Sequence, residues 1–275
     1  MKVTSRIAIH GVPRSGTTWL GEIFNSSPRT IYRYQPLFSW AFKHYLGTES
    51  DDPTITRFFE EIAESDDAFL CQEEKRESGS LPRFEKSPDA DCVVYKEVRY
   101  HHILFRLARS AVDLKLVLLV RSPFAVIHSW LRAPREFRGD LGWKPEEEWR
   151  YALRKNLNRP EEFNGFEKWK EATTSFTALA EAFPERVILV EYRELLAEPE
   201  TVARKLLEFC GLDFQSQTKH FLRDSREKRG EKEDPYGVFR SHRRQDDGWH
   251  GKLDPGIVDA ITSDLEGTSL ARYLY

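Results

Sequence analysis

A short apolar run, Arg6-Ile-Ala-Ile-His10, leads directly into Gly11-Val-Pro-Arg-Ser-Gly16-Thr-Thr18. The residues that follow, Trp19-Leu-Gly-Glu-Ile-Phe24, carry apolar side chains at helical spacing. A strand, a glycine-bounded turn and a helix in that order commit the chain to an α/β architecture, with the turn at the carboxyl edge of a sheet. The turn has the form of a phosphate-binding loop, in which backbone N–H groups and the positive end of a helix cradle an anion. It departs from that form at one position: Thr17 stands where a nucleoside-triphosphate loop carries the lysine that reaches the β- and γ-phosphates. The cation has moved into the loop, to Arg14. Such a turn suits a nucleotide with a short anionic 5′ group and no obligatory metal.

The 275 residues fit a single α/β domain with a substantial core. With 42 Lys and Arg against 45 Asp and Glu, the net charge of −3 excludes a general nucleic-acid-binding surface and leaves room for a local basic cleft. Cys71, Cys92 and Cys210 are far apart and in no metal-ligand spacing, as expected of free thiols in a reducing compartment. No apolar h-region precedes His10, and the longest apolar run, Leu116 to Val120, is strand-sized. The expectation is a soluble, cytoplasmic protein without a membrane span.

Further strand-like runs lie at Thr30 to Tyr34, Cys92 to Lys96, Leu114 to Val120 and Arg186 to Tyr192, several of them apolar on both alternations. Helical patterns cover Thr17 to Asn25, Tyr100 to Arg109, Pro123 to Arg132, Pro160 to Phe183 and Pro199 to Cys210, the last closed by Gly211. This alternation predicts one domain over residues 1–275, a central parallel sheet flanked by helices. Ser65 to Pro88 is polar and turn-rich, an excursion over the sheet edge. Arg223 to Asp247 is dense in mixed charge and reads as a solvated loop or a mobile flap over a bound nucleotide.

A second anion signal follows the strand Leu114 to Val120. Arg121 lies at its carboxyl end, with Ser122 at a helix N-cap position and Pro123 opening the helix. Ser129 comes about two helical turns later, on the same edge. A guanidinium and a hydroxyl there suit a separate phosphate. Together the two signals predict a ligand with acidic groups at both ends of one ribose, which requires the Arg121 guanidinium to face the turn at residues 14–18.

These segments resemble a known family. "GVPRSGTTWL" is similar to the 5′-phosphosulfate loop of the sulfotransferases, and "LVLLVRSPFAVIHSWL" to their 3′-phosphate motif. "VILVEYRELLAEPETVARKLLEFCGL" resembles their strand, tyrosine-bearing turn and helix, where the tyrosine, Tyr192 here, lies against the adenine. The resemblance runs from Arg6 to about Cys210, with a weaker echo at Val238-Phe-Arg240 and Gly248-Trp249-His-Gly-Lys252. It implies a P-loop-like sulfotransferase fold and 3′-phosphoadenosine-5′-phosphosulfate (PAPS) as sulfuryl donor, without a metal. On that basis Arg14 stabilises the leaving phosphate oxygens, and Ser15, Gly16, Thr17 and Thr18 donate to the 5′-phosphate. Arg121 and Ser129 take the 3′-phosphate, joined by Arg240 or by its neighbours Arg243 or Arg244. Trp19 stacks on the adenine or serves the helix core.

Lys96, at the end of the run Cys92-Val-Val-Tyr95, is placed to neutralise the sulfuryl oxygens. The general base stays open. Carbohydrate sulfotransferases have a Glu where this chain has Gln35, and the cytosolic enzymes a His where it has Val98. Glu97 is the first candidate, although adjacent strand residues point to opposite faces, so that Lys96 and Glu97 compete for the cleft. His101, His102, Glu85 and Asp89 follow. "GEIFNSSP", "YRYQPLF" and "YKEVRYHH" look more like the carbohydrate enzymes, which implies a glycan hydroxyl as acceptor. The aromatic residues Tyr32, Tyr34, Phe38, Trp40, Phe42, Tyr45, Trp130, Trp143 and Trp149 form either a sugar-stacking platform or core. A non-catalytic nucleotide-binding protein and a P-loop kinase are the alternatives. For the kinase, Glu191 at a strand end is the only substitute for a metal-binding aspartate.

Overall fold

The computed structural model describes residues 2–227, 237–239 and 246–274. Five strands, β1 (Ser5–His10), β2 (Thr30–Tyr34), β3 (Cys92–Glu97), β4 (Lys115–Val120) and β5 (Val187–Glu191), form one parallel sheet in the order β2-β3-β1-β4-β5. Each lies within one residue, at either end, of a run predicted above. β1 is central, with Ile9 opposite Lys96 of β3 on one side and Val117 of β4 on the other. Its side chains alternate between two cores. Ile7 and Ile9 pack with Ile23, Val94, Leu119 and Leu207, while Ala8 packs with Val93, Tyr95, Leu118 and Phe176. A strand covered on both faces has no solvent side to mark with polar residues, which is why these runs read as continuously apolar.

The chain leaves β1 toward β2 on one side and leaves β4 toward β5 on the other. The connections therefore diverge between these two neighbouring strands and open a crevice at their carboxyl ends, where open α/β sheets bind ligands.

The helices Thr17–Asn25, Pro123–Leu131 and Pro199–Phe209 follow the sequence pattern, and Gly211 after the last adopts a left-handed φ of 71°. The pattern starting at Pro160 becomes helical only at Phe166. Residues 160–164 are held irregular by Asn156, whose side chain donates to the Tyr151 and Asn164 carbonyls and accepts from the Asn164 N–H. The pattern at Tyr100 opens with a 3-10 turn, His101–Ile103, before the α-helix Leu104–Arg109.

The excursion contains two short helices, Ala68–Cys71 and Glu73–Glu77. Arg76 pins it to the helix after β1, donating to Glu22 Oε1 at 2.8 Å and Oε2 at 3.2 Å and to the Pro82 carbonyl at 2.6 Å. Glu22 is fully buried, so removing Arg76 alone would leave an uncompensated charge in the interior. The helix Ser216–Glu227 takes in Arg223, where the predicted flap begins; most of that flap lies outside the described residues. Among the described residues no helix is long and apolar enough to cross a membrane.

Candidate active site

The helix after β1 begins at Gly16, whose φ of 94° is left-handed, and no side chain caps its first turn. Uncapped first-turn N–H groups at the end of a central strand form an anion site. A Cβ at Gly16 would lie 2.4 Å from Cε2 of Tyr192, so only glycine lets that ring rest on the turn. Arg14 is also held at positive φ, 73°. Ser15 is fully buried, and its hydroxyl has no hydrogen-bond partner among the described residues. A buried hydroxyl orphaned inside a turn of this shape fits a bound phosphate oxygen.

Arg121 follows β4 directly and is buried. Its Nη1 donates to the Arg14 carbonyl at 2.6 Å, so the guanidinium faces the turn, as the two-anion reading requires. Its Nε and Nη2 grip Asp246 at 2.8 and 2.5 Å, and its Cζ lies 4.7 Å from the centre of the Tyr192 ring. Burial opposes the charge on Arg121, but Asp246 outweighs it and holds the pKa above its ordinary value. Arg14 reaches across to the same edge, its Nε donating to Ser129 Oγ at 3.1 Å. The two anion signals thus meet at one place. Ser122 occupies the N-cap position, but its hydroxyl donates to the Leu274 carbonyl at 3.1 Å instead of capping the helix.

A cleft of about 940 Å³, counted with its open mouth, lies over this edge. It brings together Arg14, Gly16, Thr17, Thr18, Trp19, Lys96, Arg121 and Tyr192. Tyr192 opens the helix Tyr192–Ala197, and Trp19 packs edge-to-face on its ring while donating from Nε1 to Ser225 Oγ at 3.1 Å. Lys96 is almost fully buried, with Nζ 4.3 Å from the centre of the Tyr34 ring. Burial lowers its pKa, Glu97 opposes that shift, and Lys75 and Arg99 add to it.

Glu97 points to the opposite face. Its Oε1 accepts from the Leu37 N–H at 2.8 Å, burial raises its pKa against the pull of Arg99 and Lys96, and it does not line the cleft. His101 lies with Nδ1 3.0 Å from Nδ1 of His10, its ring against Phe163. His102 packs on Tyr100, and Glu85 and Asp89 are exposed; none of them lines the cleft. Gln35 and Val98 do line it, and Gln35 Oε1 accepts from Arg99 at 3.0 Å. Arg240, Arg243 and Arg244 lie outside the described residues. Glu191 is paired with Arg193 and Arg272 at 2.8 and 2.9 Å.

The cleft also contains Lys75, Glu136, Ser225, Arg226 and Val238. Ser225, Arg226, Val238 and Asp246 fall in the stretch Arg223 to Asp247 that the sequence offers as a solvated loop or a flap, and Lys75 in the polar excursion, while no spacing marks Glu136. Of the aromatic residues, Tyr32, Phe42 and Trp130 are core, whereas Tyr34 lines the cleft and touches Phe69, which touches Phe38.

Fold and site together define a nucleotide-binding α/β protein in which a phosphate loop without the usual lysine faces an arginine at the next strand end. The sequence model of the sulfotransferase family matches residues 6–216, and the chain belongs to that family. No curated protein sequence matches it significantly. Among solved structures it is similar to the sulfotransferase domain from the curacin biosynthetic pathway, with 18% identity over 96% of this chain and 98% of that one and a TM-score of 0.51. It is also similar to a mouse sulfotransferase, SULT7A1, complexed with PAP, with 15% identity over 98% and 88% and a TM-score of 0.53. A third is retinol dehydratase in complex with androsterone and inactive cofactor PAP, with 13% identity over 96% and 82% and a TM-score of 0.53. At these identities the likeness is one of fold.

Proposed function

We propose that this chain moves a sulfuryl group from PAPS to a hydroxyl of a carbohydrate or glycan. The observation that carries the reading is the contact of Arg121 with the Arg14 carbonyl, together with that of Arg14 with Ser129. Both side chains sit at the switch point of the sheet, and a ribose acidic at its 3′ and 5′ positions would meet a cation at each end. The orphaned Ser15 hydroxyl and the Gly16 cradle under Tyr192 support a 5′-phosphate in the turn. Two structural neighbours of the same fold are complexed with PAP.

In this reading the donor lies with its 5′-phosphosulfate against Gly16, Thr17 and Thr18 and its adenine near Trp19 and Tyr192. Arg14, permanently charged and able to bond two oxygens, neutralises the phosphate as the S–O bond breaks. Lys96 faces the transferring group. The glycan acceptor is supported by the aromatic path from Tyr34 through Phe69 to Phe38, the last two 40% and 44% exposed, since ring faces suit sugar faces. A second reading, a nucleotide-binding protein without activity, draws on Gln35 and Val98, which line the cleft where relatives place a base.

One experiment separates the two. Calorimetric titration with adenosine 3′,5′-bisphosphate and with ATP plus Mg²⁺ is paired with transfer of radiolabelled sulfuryl from PAPS to glycans and to simple phenols. The proposal expects tight bisphosphate binding and labelled glycan. Bisphosphate binding without turnover of PAPS favours the inactive reading, labelled phenol alone removes the glycan, and preference for ATP overturns both.

A further inference from the structure

The sulfuryl-transfer reading leaves the acceptor proton without a destination, because the positions that hold a base in relatives carry Gln35 and Val98, and Glu97 faces the far side of the sheet. Among the described residues, the cleft is lined by one carboxylate, Glu136, and by no imidazole.

Local structure holds Glu136 there. The helix Pro123–Leu131 ends in a tight turn, in which the N–H groups of both Glu136 and Phe137 donate to the Ala133 carbonyl at 2.8 Å. The turn is anchored by burial of Ala133 and by Phe137, whose ring meets Trp130 edge-on with centroids 5.4 Å apart. The side chain is four-fifths buried, and Oε2 has no hydrogen-bond partner among the described residues. Lys155 Nζ lies 3.5 Å from Oε2. Lys155 holds Oε2 on the buried side, and the carboxylate lines the cleft, where a carboxylate oxygen within hydrogen-bond reach of an acceptor hydroxyl can take its proton. Glu136 lies close enough to act electrostatically on Lys96 and Tyr34, which line the same cleft, and on Arg99.

We propose that Glu136 is the general base of the transfer, an inference that rests on the sulfotransferase reading above. As the acceptor oxygen forms its bond to sulfur, its O–H bond breaks and the proton passes to Glu136. The bond from sulfur to the bridging 5′-phosphate oxygen breaks, and its electron pair stays on that oxygen, opposite Arg14. The products are the sulfate ester, adenosine 3′,5′-bisphosphate and protonated Glu136.

The test compares the wild type with Glu136→Gln, Glu136→Asp and Lys155→Met, using full-length protein. Binding of adenosine 3′,5′-bisphosphate reports folding and an intact donor site. Turnover is followed as release of labelled sulfate from PAPS into water between pH 5 and 9, which requires the same proton removal. The expected result is unchanged bisphosphate binding in all variants and a fall in kcat of at least about a hundredfold for the glutamine variant, with partial retention for aspartate. Lys155→Met, which keeps the carboxylate, should retain more turnover than the glutamine variant. Turnover by Glu136→Gln within fivefold of wild type overturns the assignment, as does a loss of bisphosphate binding that parallels the loss of kcat. A wild type that binds bisphosphate but transfers sulfuryl from PAPS neither to water nor to the glycans and phenols above sinks the sulfotransferase reading itself.

Discussion

Asp246 holds the guanidinium that a 3′-phosphate needs, so Asp246→Asn is expected to tighten bisphosphate binding. Both partners are buried, with side chains 6% and 11% exposed, and two charge-assisted hydrogen bonds of 2.8 and 2.5 Å join them. A phosphate can take Arg121 only after that pair opens. Asparagine offers the guanidinium one neutral acceptor in place of two charged ones. The difference is the net worth of a hydrogen bond to an ion, about 1.5–3 kcal/mol, or roughly tenfold to a hundredfold in affinity. The assay is calorimetry with adenosine 3′,5′-bisphosphate beside adenosine 5′-monophosphate, which lacks the 3′ group and should bind both proteins within about twofold. The variant should also melt lower than wild type without ligand, because Arg121 is left buried without a counter-charge, and recover when bisphosphate is added. Unchanged bisphosphate affinity, or equal tightening toward both nucleotides, would refute the reasoning.

Three further outcomes are expected. Gly16→Ala, which needs a left-handed φ and sets a Cβ 2.4 Å from Tyr192, should lower stability by about 2–4 kcal/mol and weaken bisphosphate binding, while Gly47→Ala, in open space, should do neither; calorimetric melting and titration read both. Arg14→Ala should depress kcat about a hundredfold or more with little effect on bisphosphate affinity, and Arg121→Ala should chiefly weaken binding; steady-state kinetics that show equal effects on both quantities would contradict that division. Burial, helped by His102, holds His10 down to about 3, and burial with His10 beside it holds His101 well below the ordinary range. Their folded pKa values lie below the unfolded one, so the unfolded chain binds more protons under pH 6.5. Stability is complete above that value and falls with acidification toward pH 3, at about 1.4 kcal/mol per pH unit per histidine. Melting temperatures across pH 4.5–7.5 should fall less steeply for His10→Gln; identical slopes would remove the histidines from the explanation.

One half of the cleft, the turn and Arg121, was legible because its placement is local in sequence. Gly11 to Thr18 and Arg121 to Ser129 each follow a strand directly, and a strand end plus a turn fixes where the backbone N–H groups and the first side chain go. The five strands were legible for the same reason, since burial on both faces leaves an uninterrupted apolar run. The other half depends on contacts between distant segments. Alternation along β3 could say that Lys96 and Glu97 part company, but not which one the cleft receives. That depends on β3 lying between β2 and β1, with Tyr34 beneath the ammonium. Glu136 and Asp246 sit among charges that mimic a solvated surface, and only the packing of Phe137 on Trp130, or the grip of Arg121, sets them apart. The helix Asp52–Glu64 did carry local signals, an Asp51 side chain accepting from the Thr54 N–H and a proline in its first turn. The end of that helix is held by a distant residue, Arg33, which donates to the carbonyls of Ile62, Ala63 and Ser65.

The divergence of the chain between β1 and β4 separates the site by inheritance as well as by space. The phosphate turn, Arg121 and Tyr192 all hang from β1, β4 and β5, whereas Gln35, Phe38, Phe69 and Lys75 belong to the single stretch that joins β2 to β3. Arg76 and Glu22 latch that stretch to the helix after β1, so its side of the cleft can vary in sequence while the turn, Arg121 and Tyr192 stay as they are.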